Sequence, residues 1–189
     1  MTTTYKKTWE VFWDLQCPYS KANWKLLPKI KDRFGDEYDF SVHLTSLLFH
    51  SQAFVGQCAS HLIMAKLGDE ARLKFIDACF EQQDIYMNAA VGDARKSEVD
   101  AIFAGICEKL GFFEDSDKLT KSEFLDKLHD WELATKPAWT EHKEALELGV
   151  HGAPKSVIDG VLMANSESDW TPDRWAKALE SSKKQKADK

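Results

Sequence analysis

The stretch Trp9-Glu10-Val11-Phe12-Trp13-Asp14-Leu15-Gln16-Cys17-Pro18-Tyr19-Ser20 decides how this chain is read. Residues 9–13 are mostly aromatic or β-branched, the composition of a short strand. From Pro18 onward the apolar positions Ala22, Leu26, Ile30 and Phe34 recur at helical spacing and mark one helix face. Cys17 therefore stands where a strand ends and a helix begins. The first turn of a helix has N–H groups without partners inside the helix, and its aligned peptide dipoles make it partly positive. A thiolate there is stabilised relative to the thiol and gains nucleophilicity at neutral pH. Pro18 suits the first helical position, where its missing N–H is not needed. Ser20 holds the place of the second thiol in a Cys-x-x-Cys motif. Its hydroxyl can donate a hydrogen bond to the sulfur but cannot close a disulfide. The plainer alternative is a buried structural cysteine at a loop.

Outward from this stretch, Pro28 inside the 18–34 run predicts a kink, and Gly35 predicts the end of the helix. Phe40-Ser41-Val42-His43-Leu44 alternates apolar and polar residues, a second strand. Residues 51–149 then read as helices throughout. One carries Phe54, Cys58, Leu62 and Ala65 and ends at Gly68; the next turns Leu73, Ile76 and Phe80 inward. A third has Ser97 as its predicted N-cap and Val99, Phe103, Ile106 and Leu110 as its stripe. Thr120 and Glu123 form a capping box ahead of Phe124, Leu128 and Trp131. A last inserted helix starts near Pro137 and uses Trp139, His142 and Leu146. Strand chemistry returns in residues 156–158 and 161–163, separated by the hairpin dipeptide Asp159-Gly160. Thr171-Pro172 opens a final helix through Trp175, Ala178 and Leu179.

Composition narrows the function classes. The chain has 189 residues, 43% apolar and 30% charged, ordinary for a globular protein. Its formal net charge is −6, and the last seven residues, with four lysines and one aspartate, are its basic end. The acidic remainder offers no basic stripe to neutralise phosphates, which argues against nucleic-acid binding. Residues 183–189 are expected to be a disordered tail. No apolar run approaches a membrane span, and the polar residues 1–7 resemble no signal segment, so a cytoplasmic location is expected. Cys17, Cys58, Cys79 and Cys107 are widely spaced, as in reduced-compartment proteins. No set of cysteines and histidines shows close ligand spacing, so no metal site is expected.

The order β-α-β, helices, then β-β-α, with Cys17 at the first strand-to-helix junction and Gly152-Ala153-Pro154 before the hairpin, resembles the thioredoxin-like fold. It resembles in particular the branch with a helical subdomain spliced in, which holds the DsbA-like thiol oxidoreductases, the kappa-class glutathione transferases and the 2-hydroxychromene-2-carboxylate isomerases. The resemblance implies an α/β fold with one discontinuous thioredoxin-like domain, 8–50 and 150–182, around an all-α insertion, 51–149. It implies Cys17 as nucleophile, Ser20 in the resolving position, and Pro154 as the cis-proline beside the site. Ala153 would be the residue whose backbone pairs with a peptide or with glutathione, and Pro18 and Tyr19 would complete the binding edge.

Ser20 departs from the dithiol members, so the resemblance implies a monothiol that exchanges with glutathione or protein mixed disulfides rather than an intramolecular disulfide donor. Glutathione would be a co-substrate, with no tightly bound cofactor. The Pro-Tyr-Ser segment is also similar to that of the kappa transferases, whose chemistry uses glutathione as reagent. A glutathione-dependent isomerase and a non-catalytic binding module are the other readings. A homodimer is left open by the seven tryptophans and the acidic surface.

Further residues carry two readings each. Lys21 could add positive potential near the thiolate or be solvated. Asp14 could accept a proton during exchange or face water in a loop. His50 could overhang the site or merely hydrogen-bond backbone at a helix start. Cys58, Cys79 and Cys107 could resolve a mixed disulfide but fit structural burial better. Trp13, Tyr19 and Trp24 are expected in the core or lining a pocket.

Overall fold

The computed structural model describes residues 5–187. Residues 1–4 of the polar N-terminal stretch and 188–189 of the basic tail lie outside the described residues. A four-stranded sheet of order β2-β1-β3-β4 forms the centre, from β1 (Lys7–Trp13), β2 (Tyr38–Leu44), β3 (Lys155–Ile158) and β4 (Val161–Leu162). β1 pairs in parallel with β2, Trp9 opposite Phe40 and Trp13 opposite Leu44. It pairs antiparallel with β3, Trp9 opposite Ile158. A strand hydrogen-bonded on both edges and packed on both faces needs a nearly continuous apolar run. Trp9, Val11, Phe12 and Trp13 supply it, and all four are buried.

Trp9 anchors one face. Its ring lies 4.9 Å from that of Phe40 and 4.8 Å from that of Trp175, and its indole N–H donates to Ser156 Oγ at 3.1 Å. The β3–β4 turn has φ of 49° at Asp159 and 72° at Gly160, both in the left-handed region, as a two-residue hairpin requires. The Asp159 carboxylate also accepts from the Thr8 N–H at 3.1 Å, fastening the hairpin to β1.

Between β1 and β2 the chain forms two helices, α1 (Pro18–Trp24) and α2 (Leu27–Phe34), not the single kinked helix predicted. The break falls ahead of Pro28, which occupies the first turn of α2, where a proline removes no needed donor. The two pieces turn different faces inward: Ile30 and Phe34 are buried, whereas Ala22 is exposed.

Six helices connect β2 to β3: α3 (Ala53–Leu67), α4 (Asp69–Glu81), α5 (Asn88–Val91), α6 (Lys96–Lys109), α7 (Lys121–Lys127) and α8 (Lys136–Glu147). The Thr120 cap is present, its Oγ1 accepting from the Glu123 N–H at 3.1 Å. Several predicted faces are shifted. Arg95, not Ser97, is the N-cap of α6. Leu73 is 38% exposed, while Phe75 and Ile76 are buried. On α8 the buried positions are Ala138, Glu141 and Ala145; Trp139 and Leu146 face outward, as does Trp131 in the π-helical turn Trp131–Thr135 before it.

The last helix, α9 (Pro172–Ala187), packs Trp175 and Leu179 onto the core. It runs through the boundary expected at 182, so residues 183–187 continue a helix instead of forming a disordered tail. Among the described residues, no helix is long and apolar enough to cross a membrane.

Candidate active site

Cys17 is the N-cap of α1, in extended conformation (φ −78°, ψ 120°), with Pro18 in the first turn behind it. Its N–H donates to the Asp14 carbonyl at 3.1 Å, closing a tight turn over residues 14–17. The thiol donates to the Ala153 carbonyl at 3.4 Å. The Ala153–Pro154 peptide bond is cis. The strand-to-helix junction and the loop before β3 thus meet at one sulfur, although 136 residues separate them. Cys17 is 3% exposed, while Pro18 and Tyr19 beside it face solvent.

Ser20 is fully buried, and its Oγ accepts from the Asp14 N–H at 3.1 Å. That bond ties α1 back to the turn, and Ser20 is not bonded to the Cys17 sulfur as the sequence suggested. Lys21 is half-buried and reaches the Glu81 carbonyl at 3.4 Å. Trp13 is in the core, its N–H bonded to Asn23 Oδ1 at 2.9 Å, and Trp24 stacks edge-on against it.

Asp14 is not a loop aspartate facing water: it is 0% exposed. One carboxylate oxygen accepts from the Gln16 N–H and the other from the Leu47 N–H, both at 2.7 Å. The first oxygen also lies 2.9 Å from His50 Nδ1, close enough for an ion pair though poorly aligned for a hydrogen bond. Burial pushes the Asp14 carboxyl up from its ordinary value, against the opposing pull of the two amides and His50. His50 accordingly pairs with a carboxylate instead of only bonding backbone.

The helical insertion holds the same turn from the other side. The buried Gln83 amide donates to the carbonyls of Leu15 (2.7 Å) and Cys17 (3.1 Å). Tyr86 Oη lies 2.7 Å from the Cys79 carbonyl and 3.1 Å from that of Leu15, one proton serving both. Gln16 extends in return, donating to the Tyr86 carbonyl at 2.7 Å and accepting from the Gln52 N–H at 2.6 Å. Gln16, Gln83 and Tyr86 carried no sequence signal, because a polar residue announces burial only through partners distant in sequence.

An open groove of about 310 Å³ lies along the 45–49 segment whose Leu47 N–H Asp14 holds. Leu47, Leu48 and Phe49 form one wall; His142 and Leu146 of α8 and His151 of the Ala153 loop form the others. Leu48 is 99% and Phe49 69% exposed, an apolar rim to this groove.

The remaining cysteines are buried and unpaired. Burial pushes the Cys58 thiol up to about 12 and raises those of Cys79 and Cys107 as well. Among the described residues, no three His, Cys, Asp or Glu side chains are placed to hold a metal ion.

No protein-family model matches the chain, and no curated protein matches it in sequence. Solved structures do match. A candidate protein-disulfide isomerase from Pseudomonas syringae shares 20% identity at a TM-score of 0.72, with 92% of this chain and 93% of that one covered. Oxidised BdbD from Bacillus subtilis shares 17% identity at 0.66, covering 95% and 89%. Pseudomonas aeruginosa DsbA shares 17% at 0.62, covering 100% and 90%. The chain has the thioredoxin-like fold with a helical insertion that these DsbA-like structures share.

Proposed function

We propose that the protein is a monothiol thiol–disulfide oxidoreductase that works through Cys17 and exchanges with glutathione or with mixed disulfides of protein thiols. The observation that carries this reading is the Cys17 Sγ–Ala153 carbonyl contact at the start of α1, with Ser20 where a resolving thiol would stand. The thiol stands at the N-cap of α1, and the half-buried backbone at Ala153, before Pro154, is the segment that would pair with an extended peptide. The names of the structural neighbours, a protein-disulfide isomerase candidate and DsbA among them, support the same class.

In the reaction, the Cys17 thiolate attacks one sulfur of a disulfide RS–SR′. A Cys17–SR bond forms and R′S⁻ leaves, taking a proton from solvent. A second thiolate then attacks the mixed disulfide, releases R as a new disulfide and restores Cys17. Ser20 cannot perform that second step, so an external thiol does. Tyr19 and Pro18 offer an exposed edge for the incoming partner, and Ala153 and Pro154 the backbone that aligns it. Cysteines that are all unpaired suit a reducing compartment, and we place the protein in the cytoplasm.

Incubation with oxidised glutathione, followed by intact mass, tests this. The wild type is expected to gain one glutathione, reversed by reduced glutathione, and Cys17→Ser none. Equal adducts on both proteins would overturn the assignment. No adduct on either, with glutathione still bound, would favour the glutathione-as-reagent chemistry of the transferases.

A further inference from the structure

The helical insertion reaches the backbone of Cys17 through one amide. Gln83 opens the short 3₁₀ turn Gln83–Ile85 that follows α4, and it is 3% exposed. Its Nε2 donates to the Leu15 carbonyl at 2.7 Å and to the Cys17 carbonyl at 3.1 Å, so both protons of the amide are committed. Carbonyls only accept, which fixes the amide with its nitrogen toward them. Gln16, between the two carbonyls, answers in the opposite direction. Its own amide donates to the Tyr86 carbonyl at 2.7 Å and to Asn88 Oδ1 at 3.2 Å. Residues 15–17 and 83–88 are thus laced in both directions, and the peptide planes on either side of Gln16 have little freedom to turn.

Each of the two carbonyls also has a second donor. Leu15 accepts from Tyr86 Oη at 3.1 Å, and Cys17 accepts from the Lys21 N–H at 3.1 Å, the first hydrogen bond of α1. Satisfying these buried acceptors therefore does not require Gln83. What Gln83 adds is a tie from a separate part of the chain to the residue that carries the sulfur. The loop before β3 meets Cys17 Sγ at the Ala153 carbonyl, 3.4 Å away, while Gln83 holds the Cys17 backbone from the insertion.

We propose that Gln83 is a positioning residue supplied by the insertion, holding the Cys17 backbone so that Sγ meets a disulfide aligned along Ala153. This role rests on the exchange reaction proposed for Cys17. In that reaction the Cys17–sulfur bond forms as the S–S bond of the partner breaks, and the electron pair leaves with the departing sulfur. The attacking, attacked and leaving sulfurs must stand in line, so a small displacement of the attacking one is costly. The partner is placed by the Ala153 backbone and the attacking sulfur by the 15–17 turn, so the hold on that turn decides the alignment. A small electrophile arriving from solvent makes no such demand. Gln83 therefore serves exchange with an aligned disulfide, not the reactivity of the thiol as such.

The test compares two rates at one neutral pH: adduct formation with oxidised glutathione and alkylation by iodoacetamide, each followed by intact mass with Cys17→Ser as the background. Gln83→Met keeps the length of the side chain but donates nothing, and both carbonyls keep their second donor. It is expected to lose about tenfold in adduct rate while its alkylation rate stays within about twofold of the wild type. Glu141→Gln, which loosens the insertion away from the Cys17 turn, is expected to keep both rates within about twofold. Equal adduct rates in the wild type and Gln83→Met would overturn the proposal. So would a parallel change in both rates, the mark of a site merely loosened, or the same loss of exchange in Glu141→Gln. A wild type that forms no adduct would overturn the exchange reading itself, and this role with it. If Gln83→Met does not fold, Gln83→Asn, whose amide is one methylene short of the two carbonyls, decides by the same two rates.

Discussion

Two buried carboxylates, Asp14 in the Cys17 turn and Glu141 inside the helical insertion, meet the same difficulty and resolve it differently. Glu141 is 6% exposed and gathers side chains from three other elements. Arg72 of α4 binds it at 2.6 Å, His61 of α3 at 3.0 Å, and the Gln57 amide of α3 at 3.1 Å, with His43 of β2 at 3.6 Å. Burial would raise its carboxyl, but the two histidines and the guanidinium outweigh burial and hold it well below the usual carboxylate range. Asp14 has two amides and one histidine, without a permanent cation, and burial wins. A guanidinium keeps its charge at every accessible pH, so Glu141 is a fixed brace between insertion and sheet. Asp14 is a group that titrates. The difference in partners separates a charge held fixed from one that can change.

Breaking the brace should have the largest effect. Glu141→Ala strands Arg72, which is only 12% exposed, and is expected to cost about 3–5 kcal/mol in urea unfolding. Loss below about 1 kcal/mol would show that Arg72 finds water instead.

Next comes the packing on which the Cys17 turn rests. A Cβ built on Gly56 of α3 would lie 2.7 Å from Leu15 Cδ1 and 3.0 Å from Phe103 Cε1. Gly56→Ala is therefore expected to destabilise by about 1–3 kcal/mol through overpacking, read as a lower thermal midpoint, and to change the Cys17 alkylation rate because Leu15 lies in that turn.

The two acids should also differ in the sign of their pH dependence. The native Glu141 carboxyl lies below its unfolded value, so its contribution is fully present above that value of 4.5 and fades as pH falls further. The native Asp14 carboxyl lies above its unfolded value of 3.8, so its ionisation opposes folding, and that cost is relieved as pH falls through the raised native value. Urea midpoints measured across acidic pH should steepen with pH for Glu141 and flatten for Asp14, when the wild type is compared with Glu141→Gln and Asp14→Asn. Parallel curves for the two variants would erase the distinction.

The smallest effect on stability is expected at the binding edge. Tyr19 is 66% exposed, so Tyr19→Ala should change stability by less than about 0.5 kcal/mol while slowing glutathione adduct formation. Unchanged adduct kinetics would remove Tyr19 from the site.

What the sequence disclosed follows the same division. The β1–α1 junction was legible because strand composition, helical spacing and Pro18 are local signals, and the Asp159-Gly160 hairpin because only certain residues take its positive φ angles. The faces of α4 and α8 were not. Trp139 and Leu146 look like core by hydrophobicity, yet the inward positions of α8 are small or charged: Ala138, Glu141 and Ala145. Glu141 is buried only because a strand and two helices bring cations and amides to it. Asp14 reads as a loop residue until the 47–50 turn closes over its carboxylate. At the site, Cys17, Ala153 and Pro154 were legible through their pattern, while Gln16, Gln83 and Tyr86, which hold the turn, depended on partners 36 to 71 residues away.

The most direct measurement is a peptide map of the glutathione adduct on the wild-type protein with all four cysteines present. The account predicts modification at Cys17, with Cys58, Cys79 and Cys107 left free under native conditions. An adduct on any of those three with Cys17 unmodified would contradict it.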